Sequence, residues 1–319
     1  MFRKKVAALV LGLSGSSLAA AGAWPEHPIT LIVPWAAGGS TDTLARILSQ
    51  DLGRRLNTTV VVENRPGAGG TIGSSLVARS AGDGYTFLLG VSGDQVNAEF
   101  LYPKLQYSPE KDLAPVGLIA GEALVFAARK DFQADGVQQF LDSAKKGTVS
   151  FGTSGVGSTG HLAGEFLNRK IAGSLQAVPY KGGAPAVTDT MAGHLDVVIV
   201  SPIAVAQQIK TGQLKGIATT SSVRLPVLPA VPTFKESGVD LEVHTWYMLM
   251  APAKTPADVI AQMNKALNEA LSNKDVDAKI AELGAQAKGS SPAELAELLA
   301  SERKQWGGLI NEAGLKSQN

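Results

Sequence analysis

Short apolar runs alternate with stretches whose apolar positions recur every three to four residues. The runs occupy residues 30–35, 60–63, 86–89, 149–151, 176–180, 197–200 and 214–219. Runs of this length, rich in Val, Ile and Thr, predict strands, and the helical spacing between them predicts βαβ units with mainly parallel sheets. Several runs are apolar throughout, as strands covered by helices on both faces must be. The fold class is therefore α/β.

Two longer apolar segments, residues 116–129 and 243–252, have no helical pattern between their halves. Such segments suit strands that leave one sheet and enter another. They predict one domain of residues 24–121 plus 246–319 and a second of residues 122–245, joined by two crossings that form a hinge beside a cleft. Nearly 300 residues exceed what a single core usually organises, which favours the same division.

The C-terminal portion reads as helical. Thr255-Pro256-Ala257-Asp258 and Ser291-Pro292-Ala293-Glu294 each place a capping hydroxyl before Pro at the first helical position and an acid two residues on. In the last helix Leu295, Leu298, Leu299 and Trp306 share a face opposite Glu297, Glu302, Arg303 and Lys304, which is the pattern of packing rather than of a site.

The first residues change the picture of where the chain works. Arg3, Lys4 and Lys5 precede an apolar run over residues 6–13 and a small, neutral stretch ending Ala21-Gly22-Ala23, the three-part plan of a secretory signal peptide cut before Trp24. The run is short of the roughly 20 residues a bilayer span needs. Cleavage takes three of the 29 basic residues and none of the 28 acidic ones, leaving a net charge of about −2 and no basic field for nucleic acid. There is no cysteine, hence no disulfide framework and no thiolate chemistry. His27, His161, His194 and His244 have no zinc-site spacing, and no cofactor is expected.

Candidate chemistry concentrates where strands run into helices. Pro34-Trp35-Ala36-Ala37-Gly38-Gly39-Ser40-Thr41-Asp42 follows an apolar strand and opens an amphipathic helix. A glycine turn there exposes free N–H groups at the positive end of a helix dipole, which favours an anion. Ser40, Thr41 and Asp42 equally suit a cap. Gly152-Thr153-Ser154-Gly155-Val156-Gly157-Ser158-Thr159-Gly160-His161 repeats the device in the middle of the chain. Two such helix ends, one from each domain, would suit a dicarboxylate.

That second segment has G-x-G-x-x-G spacing, but no acid ends the following strand, which reads Val178-Pro179-Tyr180-Lys181-Gly182, and a dinucleotide site is disfavoured. Neither Ser92 nor Ser154 completes a G-x-S-x-G elbow. Residues 62–73 are glycine-rich but lack the G-K-[ST] of a phosphate loop, so packing explains them better. Ser92, Gly93 and Asn97 at one strand end and Lys181 at another lie where ligands bind in open α/β sheets. His161 could donate to a carboxylate, Asp196 could hold a ligand hydroxyl or cap a strand, and Trp35, with Trp246 as a second choice, could wall a carbon skeleton.

With those residues in view, the chain resembles the solute-binding component of tripartite tricarboxylate transporters, the Bug family. The likeness rests on Val33-Pro34-Trp35-Ala36-Ala37-Gly38-Gly39 with Asp42, Val62-Glu63-Asn64-Arg65-Pro66-Gly67-Ala68-Gly69-Gly70, Asp83-Gly84-Tyr85-Thr86, Leu101-Tyr102-Pro103-Lys104-Leu105, His161-Leu162-Ala163-Gly164-Glu165 and Pro229-Ala230-Val231-Pro232-Thr233. It implies a two-domain periplasmic-binding-protein (Venus flytrap) fold, a monomer that hands a small carboxylate to integral membrane subunits, and no enzymatic activity. It also implies that one carboxylate is held by backbone groups and ordered waters near the loop from Trp35 to Ser40. Trp35 stands where relatives often carry Phe, and Val197-Val198-Ile199-Val200-Ser201-Pro202 where they frequently carry Asp or Asn, which suggests a ligand with an apolar or aromatic body. A carboxylate-sensing receptor for signalling and an exported enzyme are the competing readings.

Overall fold

The computed structural model describes residues 24–315; the signal-peptide expectation lies outside them. Among the described residues, eleven strands form two sheets. The first holds β1 (Ile29–Val33), β2 (Val60–Asn64), β3 (Thr86–Val91), β4 (Leu113–Ala123), β10 (His244–Pro252) and β11 (Gln286–Ala287), in the order β11-β4-β10-β3-β1-β2. The second holds β5 (Val125–Arg129), β6 (Val149–Thr153), β7 (Leu175–Pro179), β8 (Val197–Val200) and β9 (Leu214–Thr219), in the order β7-β6-β8-β5-β9. All seven short runs are strands.

The sheets are mixed rather than mainly parallel. β1 runs parallel to β2 and β3, and β6 parallel to β7 and β8, as helix-connected strands do. β10 is antiparallel to both β3 and β4, and β5 antiparallel to both β8 and β9. Of the reversed strands, β5 and β10 lie beside the passage between sheets, where the chain enters each sheet without a crossover helix to turn it round, and β11 sits antiparallel to β4 at the edge of the first sheet.

The passage itself is short. β4 ends at Ala123 and β5 begins at Val125, so only Leu124 separates the sheets. The return is made by irregular chain: Thr220 donates its N–H to the Leu124 carbonyl and its hydroxyl to the Val243 carbonyl, and receives the Leu124 N–H on Oγ1. β10 stays within the first sheet. The two connecting strands pair along their length, with Trp246 opposite Gly121. A side chain at 121 would collide with the Trp246 indole, so the glycine there lets the ring lie across β4.

Each sheet is covered by helices whose apolar stripe the sequence already displays. Ser40–Arg55 buries Leu44, Leu48 and Leu52 against the first sheet. Pro292–Ala313 carries the expected capping box between Ser291 and Glu294, and buries Leu295, Leu299 and Trp306. Thr255 does not cap the helix Ala257–Leu271 as expected; its hydroxyl is buried without a partner. In the second sheet the ring of Phe126 meets Phe140 and Phe234 edge-on, the arrangement aromatic quadrupoles favour.

Candidate functional site

Four helix starts converge on one cavity between the two sheets. Ser40 and Thr41 come from the helix Ser40–Arg55, Thr159 and Gly160 from Thr159–Ile171, Gly183 from Gly183–Met191, and Ser201 from the N-cap of Pro202–Lys210. The first and third helices have no side-chain cap. Ser158 and Ser201 cap the other two, receiving the N–H of His161 and Ile203. A helix start presents unpaired N–H groups and about half a positive charge. Four of them around one space make it attractive to an anion, although none of the lining residues is Lys, Arg or His.

Trp35, Val91, Leu124, Ile199 and Val200 supply apolar walls, and Glu122, Ser154, Thr245 and Tyr247 complete the lining. The volume is about 40 Å³, a few times what one water molecule requires. Three buried polar atoms of lining residues have no partner in the protein: the Trp35 indole Nε1, Thr159 Oγ1 and Glu122 Oε2. Leaving such groups unpaired costs about 1–3 kcal/mol each, so they are strong points of attachment.

The chain closes tightly around this space. The Asn97 side-chain amide donates to the Gly157 carbonyl at 3.0 Å, the Tyr102 hydroxyl to the Val156 carbonyl at 3.2 Å, and the Ala36 N–H to the Lys181 carbonyl at 3.1 Å. Each bond joins a segment beside the first sheet to one beside the second. Gly69, with φ +62°, meets Val156 backbone to backbone, and a side chain there would strike the Val156 carbonyl and the Tyr102 hydroxyl. Packing accounts for this glycine-rich segment, and the packing is across the cleft.

Of the residues singled out from sequence, Trp35, Gly39, Ser40, Ser154 and Ser158 line the cavity. Ala37 and Gly38 are on the exposed side of their turn, and Asp42 braces that turn from the first turn of the helix: it accepts the Gly38 N–H at 2.9 Å and pairs with Arg46 at 3.0 Å. Ser92 accepts the Trp246 N–H at 3.0 Å, tying β3 to β10. Gly93, Gly155 and Gly157 are points of close approach across the cleft, with Gly155 near the Trp35 ring and Gly93 near Ser158.

His161 turns away from the cavity. Its Nδ1 accepts the Gly157 N–H at 3.2 Å, and burial pushes its pKa down to about 4, so it is neutral and orders the second glycine loop. The Lys181 side chain is exposed and outside the lining. Asp196 lies at the opposite end of β8 from the cavity, where it accepts from Ser150 N–H and Oγ at 2.9 Å and pairs with Arg129 at 3.2 Å. No group of His, Asp or Glu suited to a metal occurs among the described residues.

The principal residues that sequence reasoning missed are Glu122 and Tyr247. Glu122 is 3% exposed and its Oε1 accepts a hydrogen bond from the Tyr247 hydroxyl, which also lies 2.9 Å from Ser40 Oγ. Burial pushes the Glu122 carboxyl up to about 8, against the nearby Ser201 and Tyr247 hydroxyls, which favour its ionised form. The signal was present: a single acid within a long apolar run has to be buried somewhere.

The receptor family of tripartite tricarboxylate transporters matches residues 44–315 of the chain. Among solved structures, the periplasmic binding protein BugD is 35% identical, covers 92% of this chain and all of its own, and superposes with a TM-score of 0.88. A Rhodopseudomonas palustris protein with adipate is 31% identical over 91% of this chain and 98% of its own, at a TM-score of 0.88. MatC from the same organism, with bound malate, is 32% identical over 90% of this chain and all of its own, at 0.85. With its two α/β sheets, its closed cleft and this match over most of its length, the chain belongs to the tripartite tricarboxylate transporter receptor family and is a solute-binding protein, not an enzyme.

Proposed function

We propose that the protein captures a small aliphatic dicarboxylate in the cavity between its two sheets and, as a periplasmic monomer, delivers it to the membrane subunits of a tripartite transporter. The observation that carries this reading is the convergence of four helix starts on a cavity with no cationic side chain. Preorganised N–H groups and hydroxyls bind carboxylates without the desolvation that a buried Lys or Arg demands. Two relatives of similar fold are solved with diacids, malate and adipate. Among the expected ligands, a cavity of about 40 Å³ favours a compact aliphatic acid over an aromatic one.

Lining residues from both sheets imply that solute enters an open form and that the bonds from Asn97, Tyr102 and Ala36 close over it. A thermal-shift panel on protein starting at Trp24 tests the reading with mono-, di- and tricarboxylates of aliphatic and aromatic type. A saturating ligand, at about 100 times its dissociation constant, adds about 2.7 kcal/mol to stability. Stabilisation by short diacids, with little from aromatic monoacids, is the expected result. A folded, ligand-free protein that no carboxylate stabilises would remove the proposal.

A further inference from the structure

Resting on the reading of the cleft as a dicarboxylate site, we propose that Glu122 engages the solute as a neutral acid, its Oε2 hydroxyl donating to a ligand carboxylate, so that capture requires a proton on this side chain. The geometry assigns the proton to that oxygen. Oε1 is occupied as an acceptor by the Tyr247 hydroxyl, whereas Oε2 is buried, has no protein partner and belongs to a residue lining the cavity. A carboxylate entering beside an ionised Glu122 would put two negative charges in one desolvated space with no cation on its walls. Protonating one of them removes the conflict and turns a repelling group into a donor.

Among the described residues that line the cavity, none is a cation that could neutralise that charge. From β10, Tyr247 and His244 lie nearest in register, and His244 stacks on Trp246, on the opposite face from Tyr247. From the helix Ser40–Arg55 the nearest ionisable group is Asp42, paired with Arg46. From Thr159–Ile171 it is His161, a hydrogen-bond acceptor from Gly157 and neutral. The start of Pro202–Lys210 contributes the Ser201 hydroxyl. Burial raises the Glu122 pKa to about 8 even against the Ser201 and Tyr247 hydroxyls, which favour the ionised form. An ionised Glu122 holding an ammonium is disfavoured, because that cation would sit among four positive helix ends.

Malate binding measured by calorimetry from about pH 6.5 to about pH 9.5 tests this, since both malate carboxyls are ionised throughout. The dissociation constant should be level at the acid end and rise about tenfold per pH unit above about 8, with proton uptake approaching one per ligand at the alkaline end. Glu122→Gln should lose the slope and the uptake. Tyr247→Phe, which removes a bond favouring the ionised form, should move the break to higher pH. A level wild-type profile, a slope that survives in Glu122→Gln, or affinity for aspartate that climbs with pH each overturns the proposal. If no diacid binds at any pH, the reading of the cleft itself fails, a result distinct from diacids binding without pH dependence.

Discussion

Asn97 and Gly157 are 60 residues apart, yet the Asn97 amide donates to the Gly157 carbonyl at 3.0 Å across the cleft. Asn97 sits just beyond β3 of the first sheet and Gly157 in the loop after β6 of the second, so the bond spans the cleft that the proposed closure would shut. Asn97→Ala should therefore weaken ligand binding by about fivefold, the worth of about 1 kcal/mol for one hydrogen bond, chiefly through faster release. Stopped-flow dissociation checks the rate, and an unchanged off-rate would mean that the contact does not hold the cleft shut.

Gly69 offers a sterically harsher test of closure. A side chain there meets the Val156 carbonyl and the Tyr102 hydroxyl, both on the far side of the closing surface or bonded to it. Gly69→Val should leave the protein folded and open, since much of the clash vanishes when the sheets separate, although the positive φ adds local strain. Small-angle scattering should show no compaction at ligand concentrations that compact the wild type.

Trp35 presents an indole N–H without a partner and a buried ring on the cavity wall. Trp35→Phe keeps most of the wall and removes the donor. Affinity for a diacid should fall by about three- to tenfold while the melting temperature moves little, as expected for one lost hydrogen bond to an anion. Calorimetry of the variant beside wild type measures both.

Lys181 and Asp196 separate site from scaffold. Lys181→Ala should leave affinity within about twofold, because an exposed ammonium is screened by solvent. Asp196→Ala should cost about 1–3 kcal/mol of stability by leaving the Ser150 N–H unpaired and removing one of the two carboxylates on Arg129, with ligand affinity retained by the folded fraction. Urea unfolding and calorimetry on the same preparations distinguish the two effects.

Glu122 also couples stability to pH. Its folded pKa of about 8 lies above the ordinary value of 4.5, so the folded state holds the proton more tightly than the unfolded chain does. The stabilising contribution is fully present below about 4.5 and is lost as pH rises through about 8, at up to about 1.4 kcal/mol per unit in between. Glu122→Gln cannot ionise, so its melting temperature relative to wild type should rise from pH 5 to pH 9. A constant difference across that range would count against a buried, proton-bearing Glu122.

Strands, covering helices and the two glycine-rich helix starts were legible because each is written in local periodicity and in residues three or four positions apart. The loop Trp35 to Ser40 and the segment Ser154 to Ser158 were found in this way, and both supply lining residues. The mixed sense of the sheets was not legible: β5 and β10 lie in the two longer apolar segments read as crossings, but an apolar run does not record strand direction, which depends on how the chain arrives. Asp42, His161 and Asp196 carry the right chemistry for a site, but the geometry spends it on Gly38, Gly157 and Ser150.

By itself, then, the sequence determined an α/β chain with anion-favouring helix starts and, through its ordered motifs, a family. Only the tertiary structure decided that four helix starts rather than two share a cavity, and that Glu122 and Tyr247 stand among them. The reason is physical. Helix propensity, capping and dipole direction are set within a turn or two of chain, whereas the burial of Glu122 and its bond to Tyr247, 125 residues away, arise when β4 and β10 pair and the second sheet closes over them.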